Sequence, residues 1–367
     1  MRKILHEDLY KLSSYYYDLP EDRIAQQPAN PRDSSRLLVW DTKSESVNYD
    51  NKFRDIINFL NPNDLLILNN TKVIPARIIF NRKSGGKSEI FLLNPLSNDY
   101  LEWEVLVKPA RKIHRDSEIE IANYKIKILD EKPEGIRIIR FMNISNREEL
   151  MKFLNEFGKV PLPPYIKNED SNKFRNEYQT VFAEYEGSVA APTASLHFTE
   201  ELLEEIKSKG VKIAYVTLHV GLGTFRPVQC DDIRNHEIHK EHCEIPQETV
   251  NAINECKAKN ARIIASGTTA ARTLETFCQN ISELKSGITD TNLYIYPGYK
   301  FKIVDALITN FHLPESSLIM LVSAFIANKS GYEGREEIIL SKLLNVYEFA
   351  AKNNWRFVSF GDAMLIK

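Results

Sequence analysis

Pro192, Thr193, Ser195 and His197 crowd one short loop, and His219, Gly221, Gly223, Thr224 and Arg226 crowd another. By pattern, a helix and a strand separate the two loops. Thr199 is a good N-cap for ELLEEIKSKG, where Leu202, Leu203 and Ile206 make one apolar face and Gly210 fits the residue just past the helix. Residues 211–218 then alternate like a buried strand. Imidazoles, hydroxyls and glycines at both ends of such a unit suit a small-molecule site, because ligands in α/β proteins gather beyond strand ends.

Chemistry-bearing residues recur where other predicted strands end. ARIIASG runs into Thr268 and Thr269 and then into the helix AARTLETFCQ. Gly267, Thr268 and Thr269 thus offer backbone N–H groups and two hydroxyls at a helix N-terminus, suited to an anion or a carboxylate. Asn310 and His312 end a strand over 304–309 that carries Asp305, and Asp362 interrupts the apolar run RFVSFGDAMLI. A carboxylate inside an apolar segment is either paired or functional. Near the start, Arg36 stands with Arg32, Asp33 and Ser35 in a loop able to hold a phosphate or simply to pair its own charges.

Several reaction types lack their motifs. No GxSxG nucleophile elbow occurs, no HExxH, and the Gly-Thr-Thr turn lacks GxxxxGK spacing. His236, His239 and His242 follow at i, i+3 and i+6, which on a helix sets the outer two about 240° apart. No metal centre is expected. Cys230, Cys243, Cys256 and Cys278 lack CxxC spacing, so zinc is not expected either, and free thiols fit a reducing cytoplasm. A nucleotide or nucleoside site fits the residues best, but they leave the reaction open.

The elements that must position these groups fall into two kinds. The 367 residues are 43% hydrophobic and 27% charged with net charge −2, an ordinary globular composition with room for two domains. FRDIINFL reads as an amphipathic helix, and 247–259 and 335–351 read as helices. Between them, LLILNN, VIPARIIF, SEIFLLN, EWEVLVK, SEIEIA, YKIKIL and GIRIIRF are short β runs separated by turns. The expected fold is therefore an α/β main domain built from both chain ends (1–64 and 146–367), with an inserted small all-β barrel domain over 65–145. Residues 72–141 hold 14 Lys and Arg against 10 Asp and Glu. Within them Lys108, Arg111, Lys112 and Arg115 form a compact basic run able to follow a phosphate backbone. The polar stretch 168–176 reads as a flexible excursion. No run approaches the ~18 apolar residues of a membrane span, and MRKILHEDLYKL shows no signal-peptide pattern.

The blocks YDLPEDRIAQ, RDSSRLL, LLILNNTKVIPARI, VPLPPYI, AAPTASLHFTEELL, VTLHVGLGTFRPV, GTTAARTLE, YIYPGYKFKIVDALITNFHLPESSL and FGDAMLI run in order over nearly the whole chain. Together they resemble the S-adenosylmethionine:tRNA ribosyltransferase-isomerases of queuosine biosynthesis. Departures are few. Ala265-Ser266-Gly267 stands where a Val-Gly ending is usual, Ala270 replaces a serine, and Lys72 replaces an arginine with loss of its planar fork.

The resemblance implies transfer and isomerisation of the ribosyl part of S-adenosylmethionine onto a 7-aminomethyl-7-deazaguanine wobble base, giving epoxyqueuosine, adenine and methionine. It implies no cofactor, since S-adenosylmethionine is consumed. The partners are S-adenosylmethionine and tRNA with a GUN anticodon, and a cytoplasmic monomer without membrane contact is expected. His219 is the leading general base, with His197 and His312 next, and Asp305 or Asp362 balances charge. Substrate binding falls to Arg36, Asn70, Thr71, Pro192, Thr193, Gly221, Gly223, Thr224, Arg226, Gly267, Thr268, Thr269, Arg272 and Asn310. A methyltransferase would carry a GxGxG-type loop, and an RNA-binding module more positive charge and a stacking motif.

Overall fold

The runs at 65–69, 263–266, 306–310 and 363–366 carry buried side chains throughout, and strands buried on both faces belong inside a covered sheet. In the computed structural model, which describes residues 4–97, 99–167, 173–221, 227–278 and 284–367, they form the centre of a nine-stranded mixed sheet. Leu65–Asn69 lies between Lys212–Leu218 and Ile263–Ser266, parallel to both. Ala306–Asn310 continues the parallel set. Ala363–Ile366 runs antiparallel to that strand and parallel to Arg36–Asp41. The edges are antiparallel: Ser46–Lys52 on one side, Glu241–Ile245 and Gly287–Thr291 on the other.

Alternation along each strand divides the core. Leu65, Ile67, Ile263, Ala265 and Leu307 meet helices Gln247–Ala258, Thr268–Phe277, Ser317–Lys329 and Glu336–Lys352 on one face. Leu66, Leu68, Ile264, Ala306 and Ile308 meet helix Glu200–Ser208 and the segment Phe53–Phe59 on the other. Thr199 caps Glu200–Ser208 by accepting the Leu202 N–H at 3.2 Å, and Gly210 follows it at φ 90°. Phe53–Phe59, expected as an α-helix, is a 3₁₀ helix. Asn61-Pro62 stops it before i→i+4 bonding can spread.

A second sheet holds seven antiparallel strands in the order Gly158–Lys159, Arg77–Asn81, Lys87–Pro95, Glu102–Lys108, Ile136–Phe141, Tyr124–Glu131 and Glu118–Ile121. Ile78, Ile90, Val105, Ile126 and Ile139 form its core with Leu150, Phe153 and Leu154 of helix Arg147–Phe157. Among the described residues its outer strands do not pair with each other, so this curled sheet is open where a closed barrel was expected. The run Leu65–Asn69, grouped by sequence with the β-rich block, belongs to the mixed sheet. The burial patterns tell them apart: Leu65–Asn69 is buried throughout, whereas Glu102–Lys108 alternates. Helix Arg147–Phe157 likewise packs on the antiparallel sheet, not on the mixed one. Thr71–Val73 pairs in parallel with Tyr185–Ser188 as a separate two-stranded ribbon. Of the stretch 168–176, residues 168–172 lie outside the described residues, and Phe174–Glu177 is a short helix.

Candidate active site

Because Lys212–Leu218, Leu65–Asn69, Ile263–Ser266 and Ala306–Asn310 are parallel, their C-terminal ends share one edge of the sheet. Gly267 makes the turn from strand to helix there at φ 91°, its N–H donating to the Ile308 carbonyl at 2.8 Å. Two clefts open at this edge. The smaller, about 250 Å³, is lined by Pro192, Thr193, Gly267, Asn310, His312 and Tyr165 among others. The larger, about 380 Å³, is lined by Arg272, Glu241, His236, His239, Tyr294 and Glu134 among others. Thr268 and Thr269 line both, so the Gly-Thr-Thr turn is their shared wall.

Within the smaller cleft, Nε2 of His312 lies 2.8 Å from Thr309 Oγ1, and burial pushes the imidazole down to about 3. The ring is neutral at physiological pH. Nδ2 of Asn310 donates to the Val358 carbonyl at 3.1 Å, while its buried Oδ1 has no partner. The buried Thr269 hydroxyl has none either. In the larger cleft, Arg272 pairs with Glu241 and donates through Nε to the Leu293 carbonyl at 2.9 Å, leaving Nη2 unpartnered. An unsatisfied buried donor or acceptor is costly, and two such groups among the residues lining each cleft mark where a polar ligand would be received.

Other expected residues stand elsewhere. Among the described residues, neither cleft is lined by His219 or His197. Nδ1 of His219 lies 2.8 Å from Thr71 Oγ1, its ring stacks on His242 at 6.2 Å, and burial lowers it to about 4, helped by His242 and Arg147. His197 sits behind the smaller cleft, stacked on Phe53 at 4.8 Å, with Nδ1 2.8 Å from Ser35 Oγ. Burial first, then Arg356 and Arg32, push it down to about 3. Asn70, directly after the strand Leu65–Asn69, accepts from the Thr217 hydroxyl at 2.8 Å. Gly221 donates its N–H to Glu241 at 3.1 Å. Gly223, Thr224 and Arg226 lie outside the described residues.

Three expected site residues are engaged by contacts within the fold. Asp305 precedes its strand, at the end opposite the clefts, and holds Lys257 at 3.1 Å and the Ile263 N–H at 2.9 Å. Asp362 accepts the N–H groups of Arg36 and Arg356 at 2.9 and 2.8 Å. The Arg36 guanidinium stacks over Trp355 at 5.2 Å and donates to the Asn353 carbonyl. Of the three clustered histidines, His236 and His239 line the larger cleft, while His242 faces Asp290 at 3.1 Å.

Three lining groups were not singled out from the sequence. Tyr165, from VPLPPYI, donates or accepts with Ser359 at 2.7 Å, and burial raises it to about 12. Glu241 is the third: it is buried at an alternating position of the strand EHCEI, and an inward carboxylate there was a readable signal.

A family model described as queuosine biosynthesis protein matches residues 12–366. The chain belongs to this family. A relative from Thermoanaerobacter sp. (strain X514), named S-adenosylmethionine:tRNA ribosyltransferase-isomerase, is 49% identical over 359 residues, covering 97% of this chain and 99% of its own. One of the same name from Clostridioides difficile (strain 630) is 48% identical over 360 residues, covering 97% and 100%. The crystal structure of an S-adenosylmethionine tRNA ribosyltransferase from Thermotoga maritima aligns with TM-score 0.53 at 36% identity, covering 97% of this chain and 100% of that one.

Among the described residues of the antiparallel sheet and its turns, Glu134, in the turn Pro133–Gly135, lines the larger cleft. The basic run lies on the same sheet. Arg111 and Lys112 are exposed on the turn Ala110–Lys112, just past Lys108. Arg115 is exposed as well, with Asp130 3.9 Å away. Among the described residues no helix is long and apolar enough to cross a membrane.

Proposed function

We infer that this chain is an S-adenosylmethionine:tRNA ribosyltransferase-isomerase: it moves the ribosyl part of S-adenosylmethionine to the 7-aminomethyl-7-deazaguanine wobble base of tRNA, giving epoxyqueuosine and releasing adenine and methionine. What carries this reading is the family match over residues 12–366, joined to relatives of that name at nearly half identity over nearly the full length.

The chemistry assigns work to the clefts. The sulfonium acidifies the protons on the adjoining ribose carbon, and a neutral imidazole removes one. His312 takes this role ahead of His219 and His197, because it alone of the three lines a cleft. Asn310, with its free Oδ1, and the Tyr165–Ser359 pair supply hydrogen bonds to a nucleoside. The modified base must leave the anticodon stack to reach this edge. The basic run Lys108, Arg111, Lys112 and Arg115 follows the phosphates of the anticodon arm. S-adenosylmethionine is a substrate, so no further cofactor is needed. The tRNA carries a GUN anticodon, and the enzyme works as a cytoplasmic monomer.

The test is incubation with S-adenosylmethionine and tRNA bearing the aminomethyl base. Free adenine with a ribosyl-sized mass gain on the tRNA is expected. A methyl-sized gain would make it a methyltransferase instead, and tRNA binding without any product would make it a binding protein.

A further inference from the structure

We propose that Thr269 and Arg272 hold the α-carboxylate of the amino-acid end of S-adenosylmethionine, with Glu241 positioning Arg272. The proposal rests on the reading above and names which part of that substrate enters the larger cleft.

Helix Thr268–Phe277 opens on the shared wall of the two clefts. Ala271 donates back to Gly267, so the N–H groups of Thr268, Thr269 and Ala270 precede the first intrahelical bond. Such a terminus favours negative charge. Two side chains add independent evidence of a ligand. Thr269 is 9% exposed, lines both clefts, and its hydroxyl has no partner. Arg272 is 7% exposed, lines the larger cleft, and its Nη2 has no partner. One turn of helix separates them, so they share one helix face, and both residues line the larger cleft.

Glu241 sets the direction of the Arg272 fork. Its Oε2 takes Nη1 of Arg272, and its Oε1 is fixed by the Gly221 N–H at 3.1 Å. The fork is thereby held with Nη2 left over. A planar guanidinium with a free edge suits a carboxylate.

The remaining charges decide between a carboxylate and a tRNA phosphate. Among the described residues, Glu134 and Glu237 line this cleft beside the Arg272–Glu241 pair. A described lining with more carboxylates than guanidiniums disfavours a phosphodiester chain. It accommodates a molecule with one carboxylate, one ammonium and one sulfonium, whose net charge is positive. With the amino-acid end in the larger cleft, the Gly-Thr-Thr wall lies under the sulfonium, and the nucleoside continues into the smaller cleft beside His312.

The experiment compares calorimetric affinities of the intact enzyme for S-adenosylmethionine and for its decarboxylated form, which lacks only that carboxylate. The wild-type chain is expected to prefer the carboxylate by roughly 10- to 100-fold, the range of hydrogen bonds to a charged group. Thr269→Val should shrink the preference several-fold. Arg272→Gln combined with Glu241→Gln, which leaves no lone buried charge, should bring it close to one. Glu241→Gln alone should lower it too, an effect on ligand choice that a purely structural residue would not have. Equal wild-type affinities, or variants that keep the full preference, overturn the proposal. So does weaker tRNA binding by the variants with S-adenosylmethionine affinity unchanged. Adenine release without carboxylate preference defeats this assignment alone, whereas no adenine release defeats the enzyme reading itself.

Discussion

Thr309 Oγ1 lies 2.8 Å from Nε2 of His312. The two sit three residues apart where a central strand leaves the sheet, and the contact holds the imidazole by one of its nitrogens. His312→Ala is expected to slow adenine release by about 10²–10⁴-fold, the usual contribution of a positioned base. His219→Ala should cost less than tenfold, because its ring is bonded to Thr71 and lines neither cleft. Single-turnover kinetics on both variants checks the ranking, and the reverse order would return the role to His219.

The acid side of the rate profile follows from the same burial. His312 is held down at about 3 instead of the ordinary 6.5. The imidazole therefore stays unprotonated well into mild acid, and kcat/KM should remain flat down to about pH 5. A fall centred near 6.5 would point to an exposed histidine.

Stability, unlike the rate, should change in mild acid. His197 is lowered to about 3 from 6.5 by burial, then by Arg356 and Arg32. Above 6.5 both folded and unfolded chains hold it neutral, and the fold is unpenalised. As pH falls below 6.5 the unfolded chain takes up a proton that the folded chain refuses, so stability is lost until about pH 3. At pH 5 this amounts to about 2 kcal/mol. His197→Gln should therefore show a smaller drop in Tm between pH 7 and pH 5 than the wild-type chain, measured by calorimetry.

Charge reversal tests the basic run. Arg111→Glu with Lys112→Glu should weaken tRNA binding about tenfold or more at moderate salt. The slope of log affinity against log salt should fall by about 1 to 2. S-adenosylmethionine affinity should not change. Unaltered tRNA affinity would remove this patch from the interface.

Asp305 should prove dispensable for chemistry. Its carboxylate ties Lys257 and the Ile263 N–H at the far end of its strand. Asp305→Asn keeps an acceptor for that N–H, and adenine release within about twofold of wild type is expected, with some loss of Tm from the weakened ion pair. A large loss of kcat at unchanged Tm would reverse the assignment.

Much of the site was legible because backbone patterns place residues well. The Gly-Thr-Thr turn, Asn310 and His312 follow directly from recognising parallel strands and asking what stands at their ends. Which way a side chain points was less legible. His219 ends its strand as expected, yet a β-carbon on neighbouring Gly187 would lie 2.9 Å from its ring. That glycine lets the ring lie against the ribbon strand Tyr185–Ser188, a contact no spacing rule reveals. Asp362 is a carboxylate in an apolar run, and the structure pairs it with the N–H groups of Arg36 and Arg356. Glu241 and Tyr165 went unnoticed because each owes its place to a partner distant in sequence, Arg272 and Ser359. The strand Leu65–Asn69 was assigned to the wrong sheet because short apolar runs look alike until their burial on one or both faces is known.

The position of Ala363–Ile366 has a consequence for how the chain is made. It is the parallel neighbour of Arg36–Asp41, so one side of that early strand has no mate until residue 366 leaves the ribosome. The antiparallel sheet is built largely from consecutive hairpins, such as Lys87–Pro95 with Glu102–Lys108, and can settle while synthesis goes on. During that interval Arg36–Asp41 presents an apolar, unsatisfied edge, the kind that recruits strands from other chains. Slow translation between residues 310 and 366 would lengthen that exposure, and aggregation of nascent chains would rise with it.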